Sequence, residues 1–204
     1  MELPAGTVTL SEESGRLEIR TGRQGMGARA GHDLSIEAGR WHAEAASEGG
    51  VPHVSAQVDP SGFVVREGRG GVKPLTDGDR ADIKANLERK VLEVDRHQQI
   101  AFEGGSWEAL AESAETLRGT LSGDLLLHGR REPLRVDVEL RRTAGGIQIH
   151  ASGTVAQSRW GIKPYSALLG TLKVADPVEI VVDATVPLVE NGARDGNAAD
   201  EPEP

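Results

Sequence analysis

Six side chains carry the chemistry this sequence could perform on a bound molecule. Five of them fall between Val155 and Ala175, where the alternation of the flanking segments breaks. Arg159 and Lys163 offer cations to an anionic group. Trp160 and Tyr165 offer flat apolar faces with a polar edge, and Leu168, beside Leu169, offers hydrocarbon. A structured stretch of this length inside one domain is usually functional. One reading is a lid whose aromatics touch a long ligand while its cations meet the ligand's charged end. The other is a closure in which Trp160 fills the core and the cations face water. The sixth residue, His32, sits between Gly31 and Asp33 at a strand start. It either donates to a polar group at a pocket mouth or fixes a turn through backbone hydrogen bonds.

Other chemistry finds less support. No nucleophile elbow or carboxylate pair stands out, so no catalytic residue is assigned. His32, His42, His53, His97, His128 and His150 show no HxH or HExxH spacing, so no metal ligand and no cofactor is assigned. His128 shares a strand face with Asp124 and Leu126, opposite Leu125 and Leu127, which places it outside the core. Gly25-Met26-Gly27 is reminiscent of a phosphate-cradling loop. Its spacing to Gly31 is one residue too long for the dinucleotide fingerprint, and alternation resumes where a helix should begin. The stretch reads as an irregular crossing at one end of a barrel. Trp41 reads as core or barrel end.

The elements that must position these residues are mostly strands. Leu121, Leu125 and Leu127 precede the Gly129 turn, and Leu134, Val136, Val138 and Leu140 alternate with charged residues. Ile147, Ile149 and Ala151 follow the Gly145-Gly146 turn, and Val178, Ile180, Val182, Ala184 and Val186 close the series. Apolar residues at every second position put one strand face on a core. Such strands joined by short glycine-containing turns predict an antiparallel meander that closes on itself or packs on a second sheet. Upstream, strands are expected at 7–10, 16–20, 52–58 and 63–66. A hairpin of 34–38 and 40–46 is expected around Gly39, and a loop at 67–73. The spacing predicts one helix over 76–94, capped by Thr76, with Ile83, Leu87, Val91 and Val94 on one stripe. That helix lies across the barrel or plugs one mouth.

The 204 residues suit a single domain over 1–189, followed by a disordered acidic tail over 190–204. The tail holds Glu190, Asp195, Asp200, Glu201 and Glu203 against Arg194, and the whole chain carries a net charge of -9. That balance argues against a nucleic-acid partner. The absence of cysteine excludes disulfides, thiolate metal sites and thiol catalysis. The segment MELPAGTVTLSEESG has no basic region followed by an apolar run. No secretory leader and no transmembrane segment are expected, and a cytoplasmic location is.

Four stretches, in order, resemble the YceI-like family of lipocalin-like polyisoprenoid-binding proteins. They are Gly31-His32-Asp33-Leu34 with Gly39-Arg40-Trp41, the helix and strand over 79–102, the Gly119 to Pro133 hairpin, and Ser158 to Gly161. Asp95-Arg96-His97-Gln98 stand where the family commonly has aromatics and a Tyr-Pro. The resemblance implies a mainly β fold, an antiparallel lipocalin-like barrel of about eight strands with one α-helix packed against it. It also implies a long apolar chain held inside. Aromatics make up only 3% of the sequence, so a cavity would be lined mostly by Leu, Val, Ile and Ala.

The function expected is therefore binding of an amphipathic, isoprenoid-like or fatty-chain ligand, as carrier, store or sensor. His32, Arg159, Trp160, Lys163, Tyr165 and Leu168 are the candidate ligand contacts. Two rivals are an enzyme acting on a small hydrophobic substrate in the same cavity and a filled barrel serving as an interaction module. A homodimer fits either class, and no stretch of sequence decides it.

Overall fold

The computed structural model describes residues 6–48 and 51–187. The expected acidic tail over 190–204 lies outside them. Among the described residues, twelve strands join one antiparallel sheet. They are β1 (Val8–Ser11), β2 (Gly15–Gln24), β3 (His32–Ala38), β4 (Trp41–Glu48), β5 (Val51–Val58), β6 (Phe63–Gly70), β7 (Ile100–Glu112), β8 (Thr116–Leu127), β9 (Arg130–Thr143), β10 (Gly146–Ala156), β11 (Ser166–Ala167) and β12 (Leu172–Val186). The pairing order is β1-β4-β5-β7-β8-β9-β10-β12-β2-β3-β6, with β11 beside β12.

That order forces the sheet to curl. β1, β4 and β5 lie at one flank and β2, β3 and β6 at the other, yet β1 runs into β2, β3 into β4 and β5 into β6 through a few residues each. Short connections across the whole sheet are satisfied only if its flanks meet. The corners are tied together: Gly39 N–H donates to Gly62 O at 3.0 Å and Asp59 N–H to Arg40 O at 3.1 Å. Taking each cornered pair as one bent strand and setting β11 aside leaves eight strands around the barrel.

Gly39 therefore does not close a hairpin. β3 pairs with β2 and β6, and β4 with β1 and β5, so Gly39-Arg40 is a corner. The expected loop at 67–73 is strand as far as Gly70, because β6 follows β3 to its start at His32. The irregular stretch after Val155 is shorter than expected, since β12 already begins at Leu172.

Register carries the alternating apolar positions into continuous rows. Leu121, Val136, Gly153, Ile180, Ile19, Ile36 and Val65 are successive partners across β8, β9, β10, β12, β2, β3 and β6. On the other flank Leu10, Ala43, Ala56, Phe102 and Leu125 form a second row. Both rows face the interior.

The helix α1 (Asp77–Asn86) starts at a capping box, in which Asp79 N–H donates to Thr76 Oγ1 at 3.1 Å and Thr76 N–H donates to Asp79 Oδ2 at 2.8 Å. It ends eight residues earlier than the periodicity predicts. A π turn over Leu87–Val91 follows, closed by Leu92 N–H to Leu87 O at 2.9 Å. The wider turn lets Leu92 join Leu87 and Val91 on the inner side, while Ile83 and Val94 pack on the surrounding core. Lys84 Nζ donates to Ser61 O and Phe63 O, both at 3.0 Å, and fixes the helix on the β5–β6 corner. The helical segment thus plugs one end of the barrel. His128, expected outside, is half-buried there: its φ of +51 turns it out of strand phase and its ring packs on His97.

Candidate functional site

The barrel encloses a cavity of about 420 Å³. Its wall is the inner face of the sheet together with Leu87, Val91 and Leu92 from the plug. Val136, Val138, Leu140, Ile149, Ile180 and Val182 point inward yet are only half-buried. The surface they leave uncovered faces the cavity. Among the described residues no Asp, Glu, Lys, Arg or His lines the space. Thr21 and Gln157, the hydroxyl and amide side chains on the wall, are already engaged. Thr21 Oγ1 accepts from Leu34 N–H at 3.1 Å, and Gln157 Nε2 donates to the carbonyls of Ala175 and Asp176 at 2.9 and 3.3 Å.

Four of the chain's six aromatic residues, Trp41, Phe63, Phe102 and Trp107, line this wall. Trp41 is 5% exposed, and its indole N–H is buried without a hydrogen-bond partner. Trp107 reaches the interior because the β7–β8 register shifts between Gly104 and Ser106. The bulge changes which alternate positions face inward. Gly119 leaves room for the ring: a Cβ there would lie 2.3 Å from Trp107 Cζ2. Simple alternation through 100–112 does not reveal Trp107, and only the bulge explains its direction. Leu, Val, Ile and Ala make up most of the remaining lining.

The cavity has two unlike ends. The plug, the β8–β9 turn at Gly129 and the β5–β6 corner lie at one. The β7–β8 and β9–β10 connections lie at the other, where no helix crosses among the described residues.

None of the six residues singled out in the sequence lines the cavity. Trp160 is 1% exposed, and its Nε1–H donates to Leu125 O at 2.9 Å, so it is packed into the barrel wall near the plug. It gets there through a 3₁₀ turn over Gln157–Trp160 that ends on Gly161, whose φ of +75 reverses the chain. Arg159 lies 5.4 Å over the Trp160 ring and pairs with Glu132 at 3.6 Å. Lys163 is exposed, and Tyr165 is half-buried, with its carbonyl accepting from Val174 N–H at 2.9 Å. Leu168 is 59% exposed, next to the fully exposed Leu169. His32 Nε2 bonds Lys73 O at 2.8 Å, the turn-fixing role. The structure brings Arg159 and Trp160 together and leaves the other four apart from them on the outer surface of the plugged end.

Perturbed carboxylates lie on the outside of the sheet. Arg66 donates to both oxygens of Glu37, at 3.1 and 3.0 Å, and holds its carboxyl below the ordinary value of 4.5. Glu18 is raised by burial, but hydrogen bonds from Ser35 and Arg20 outweigh this and leave it lowered. None of these groups reaches the cavity.

The family model described as YceI-like domain matches residues 26–186. No curated protein sequence matches the chain. Among solved structures, it is similar to BcnA of Burkholderia cenocepacia, with a TM-score of 0.57 and 11% identity over 83% of this chain and 96% of that one. It is similar to a polyisoprenoid binding domain from Saccharophagus degradans, implicated in plant cell wall breakdown, at 0.57 and 10% over 90% and 100%. It is also similar to a YceI protein of Campylobacter jejuni, at 0.55 and 11% over 76% and 85%. At such identities the shared property is the fold.

Proposed function

We propose that this chain, which belongs to the YceI-like domain family, holds the hydrocarbon part of an amphipathic lipid inside its barrel, as a carrier, store or sensor. One observation carries the reading: a continuous apolar wall around about 420 Å³, with no ionisable lining side chain among the described residues. Such a site rewards burial of hydrocarbon and would penalise an unpaired charge. A lipid's charged group would therefore stay outside it. A barrel filled by its own side chains would leave no such space. The polyisoprenoid-binding neighbour supports an isoprenoid-like chain as the ligand class.

Volume sets the length of chain. At the roughly 30 Å³ that a water-sized group occupies in a liquid, the cavity holds about fourteen such groups. That is close to three isoprene units or a fatty chain of similar length. Each buried methylene contributes about 0.8 kcal/mol, or about 11 kcal/mol in all. Association costs of at least about 4 kcal/mol leave at most about 7 kcal/mol, so the tightest Kd expected is on the order of 10 μM.

Native mass spectrometry and solvent extraction of the purified protein, beside an unrelated protein from the same host, test this. The expected result is a stoichiometric long-chain adduct released on denaturation, or saturable binding of an added fifteen-carbon isoprenoid alcohol or palmitate. Absence of the adduct together with failure of both added chains to bind would overturn the reading.

A further inference from the structure

Glu93, His97 and His128 meet at the plugged end, away from the cavity wall. One ligand atom from each lies within 4.8 Å of the other two, and all three residues are half-buried. The two imidazoles pack with centroids 4.3 Å apart and planes inclined by 51°. His128 Nε2 is buried and makes no hydrogen bond to the protein. Imidazole nitrogens are rarely left so, because burying a polar atom without a partner is costly.

We infer that these three residues bind a divalent transition ion of the Zn²⁺ class. Two imidazoles and a carboxylate are a ligand set that zinc accepts, with a fourth position open to water. Hard ions such as Mg²⁺ favour oxygen donors and would bind weakly. Zinc–nitrogen and zinc–oxygen bonds of about 2.0–2.1 Å in a tetrahedron need ligand atoms about 3.3 Å apart. The side chains must therefore close by up to about 1.5 Å around the ion, a movement within their rotamer freedom. Arg96 Nη1 holds Glu93 Oε2 at 2.9 Å, but Arg96 is 77% exposed, and an exposed pair of this kind is weak and yields to a divalent ion.

The backbone presents the ligands. Glu93 leaves the π turn at φ +47, and its carbonyl accepts from the amides of Arg96 and His97 at 2.8 and 3.0 Å, which returns His97 to the same side. His128 opens the β8–β9 turn at φ +51. Non-glycine residues adopt this region rarely, and it recurs at ligand clamps. Two of the three ligands have it. The neighbouring Leu92 and Leu127 both line the cavity. The ion would therefore fasten the plug to the β8–β9 turn. This site does not depend on what the cavity holds.

The test is calorimetric titration of the chelator-stripped full chain with Zn²⁺, with Mg²⁺ as the hard-ion comparison and Co²⁺ absorption as the report of geometry. One Zn²⁺ per chain is expected, with a tetrahedral Co²⁺ spectrum. At a free concentration of 100 times Kd, the ion should raise the melting temperature by about 5–10 °C. His97→Gln and His128→Asn keep a polar side chain, and Asn suits the left-handed backbone. Each should lower zinc affinity at least about 100-fold while the protein still melts cooperatively. His150→Ala, at a surface pair with Asp183, should leave affinity unchanged. Wild-type zinc affinity in both ligand variants, or equal affinity for Mg²⁺, would overturn the assignment.

Discussion

Filling the cavity from within should abolish lipid uptake while leaving the barrel intact. Ala151 is the position to use. It lies on β10 between Val138 of β9 and Val182 of β12, and all three line the cavity. Ala151→Phe adds six carbons to a space that holds about fourteen methylene-sized groups. A chain that loses contact for six groups forfeits about 5 kcal/mol of burial, a loss of affinity of more than about a thousandfold. The new ring buries its own apolar surface in existing space, so stability should hold or rise. The assay is a titration with a fifteen-carbon isoprenoid alcohol followed by tryptophan fluorescence, since Trp41 and Trp107 are on the wall. Thermal melting runs alongside as the control for folding. A shorter chain of about eight carbons should lose far less affinity than the fifteen-carbon one. Undiminished binding of the longer chain to a folded Ala151→Phe protein would refute the placement of ligand in the barrel.

Trp160→Ala should cost about 3–5 kcal/mol in urea denaturation, because it empties a site at 1% exposure and removes the indole hydrogen bond to Leu125 O; a loss under about 1 kcal/mol would contradict its place in the wall. Thr76→Ala removes one half of the capping box and should cost about 1 kcal/mol in the same measurement. Glu37 has a lowered folded pKa, chiefly through its hydrogen bonds from Arg66, so its contribution is complete above the ordinary value of 4.5 and is lost as pH falls through the lower folded value. Melting temperature should therefore drop below about pH 4.5, and Glu37→Gln should drop less steeply over the same range.

Much of the fold was legible because local periodicity and turn chemistry agree. The alternation over 121–140, 147–151 and 178–186 marks the strands that form most of the wall, and Thr76 marks the helix start. The candidate contacts were legible as residue types but not as places. Trp160 breaks an alternating pattern whether it serves as a lid or as core. Its direction depends on a 3₁₀ turn and on the Leu125 carbonyl thirty-five residues away in sequence. Glu93 and His97 are four residues apart, a spacing that could have drawn notice, but the third ligand, His128, arrives from another hairpin.

By itself the sequence determined most of the strands, the helix cap, the apolar lining and the absence of thiol chemistry, since these follow from residue type and spacing along one segment. Only the tertiary structure decided that Gly39 is a corner, that Trp107 faces inward, that the six expected contacts lie off the cavity and that Glu93, His97 and His128 converge. Each of those depends on register between strands or on where a turn sends the chain. Such relations are set by the closure of the whole sheet, and no local window of sequence contains them.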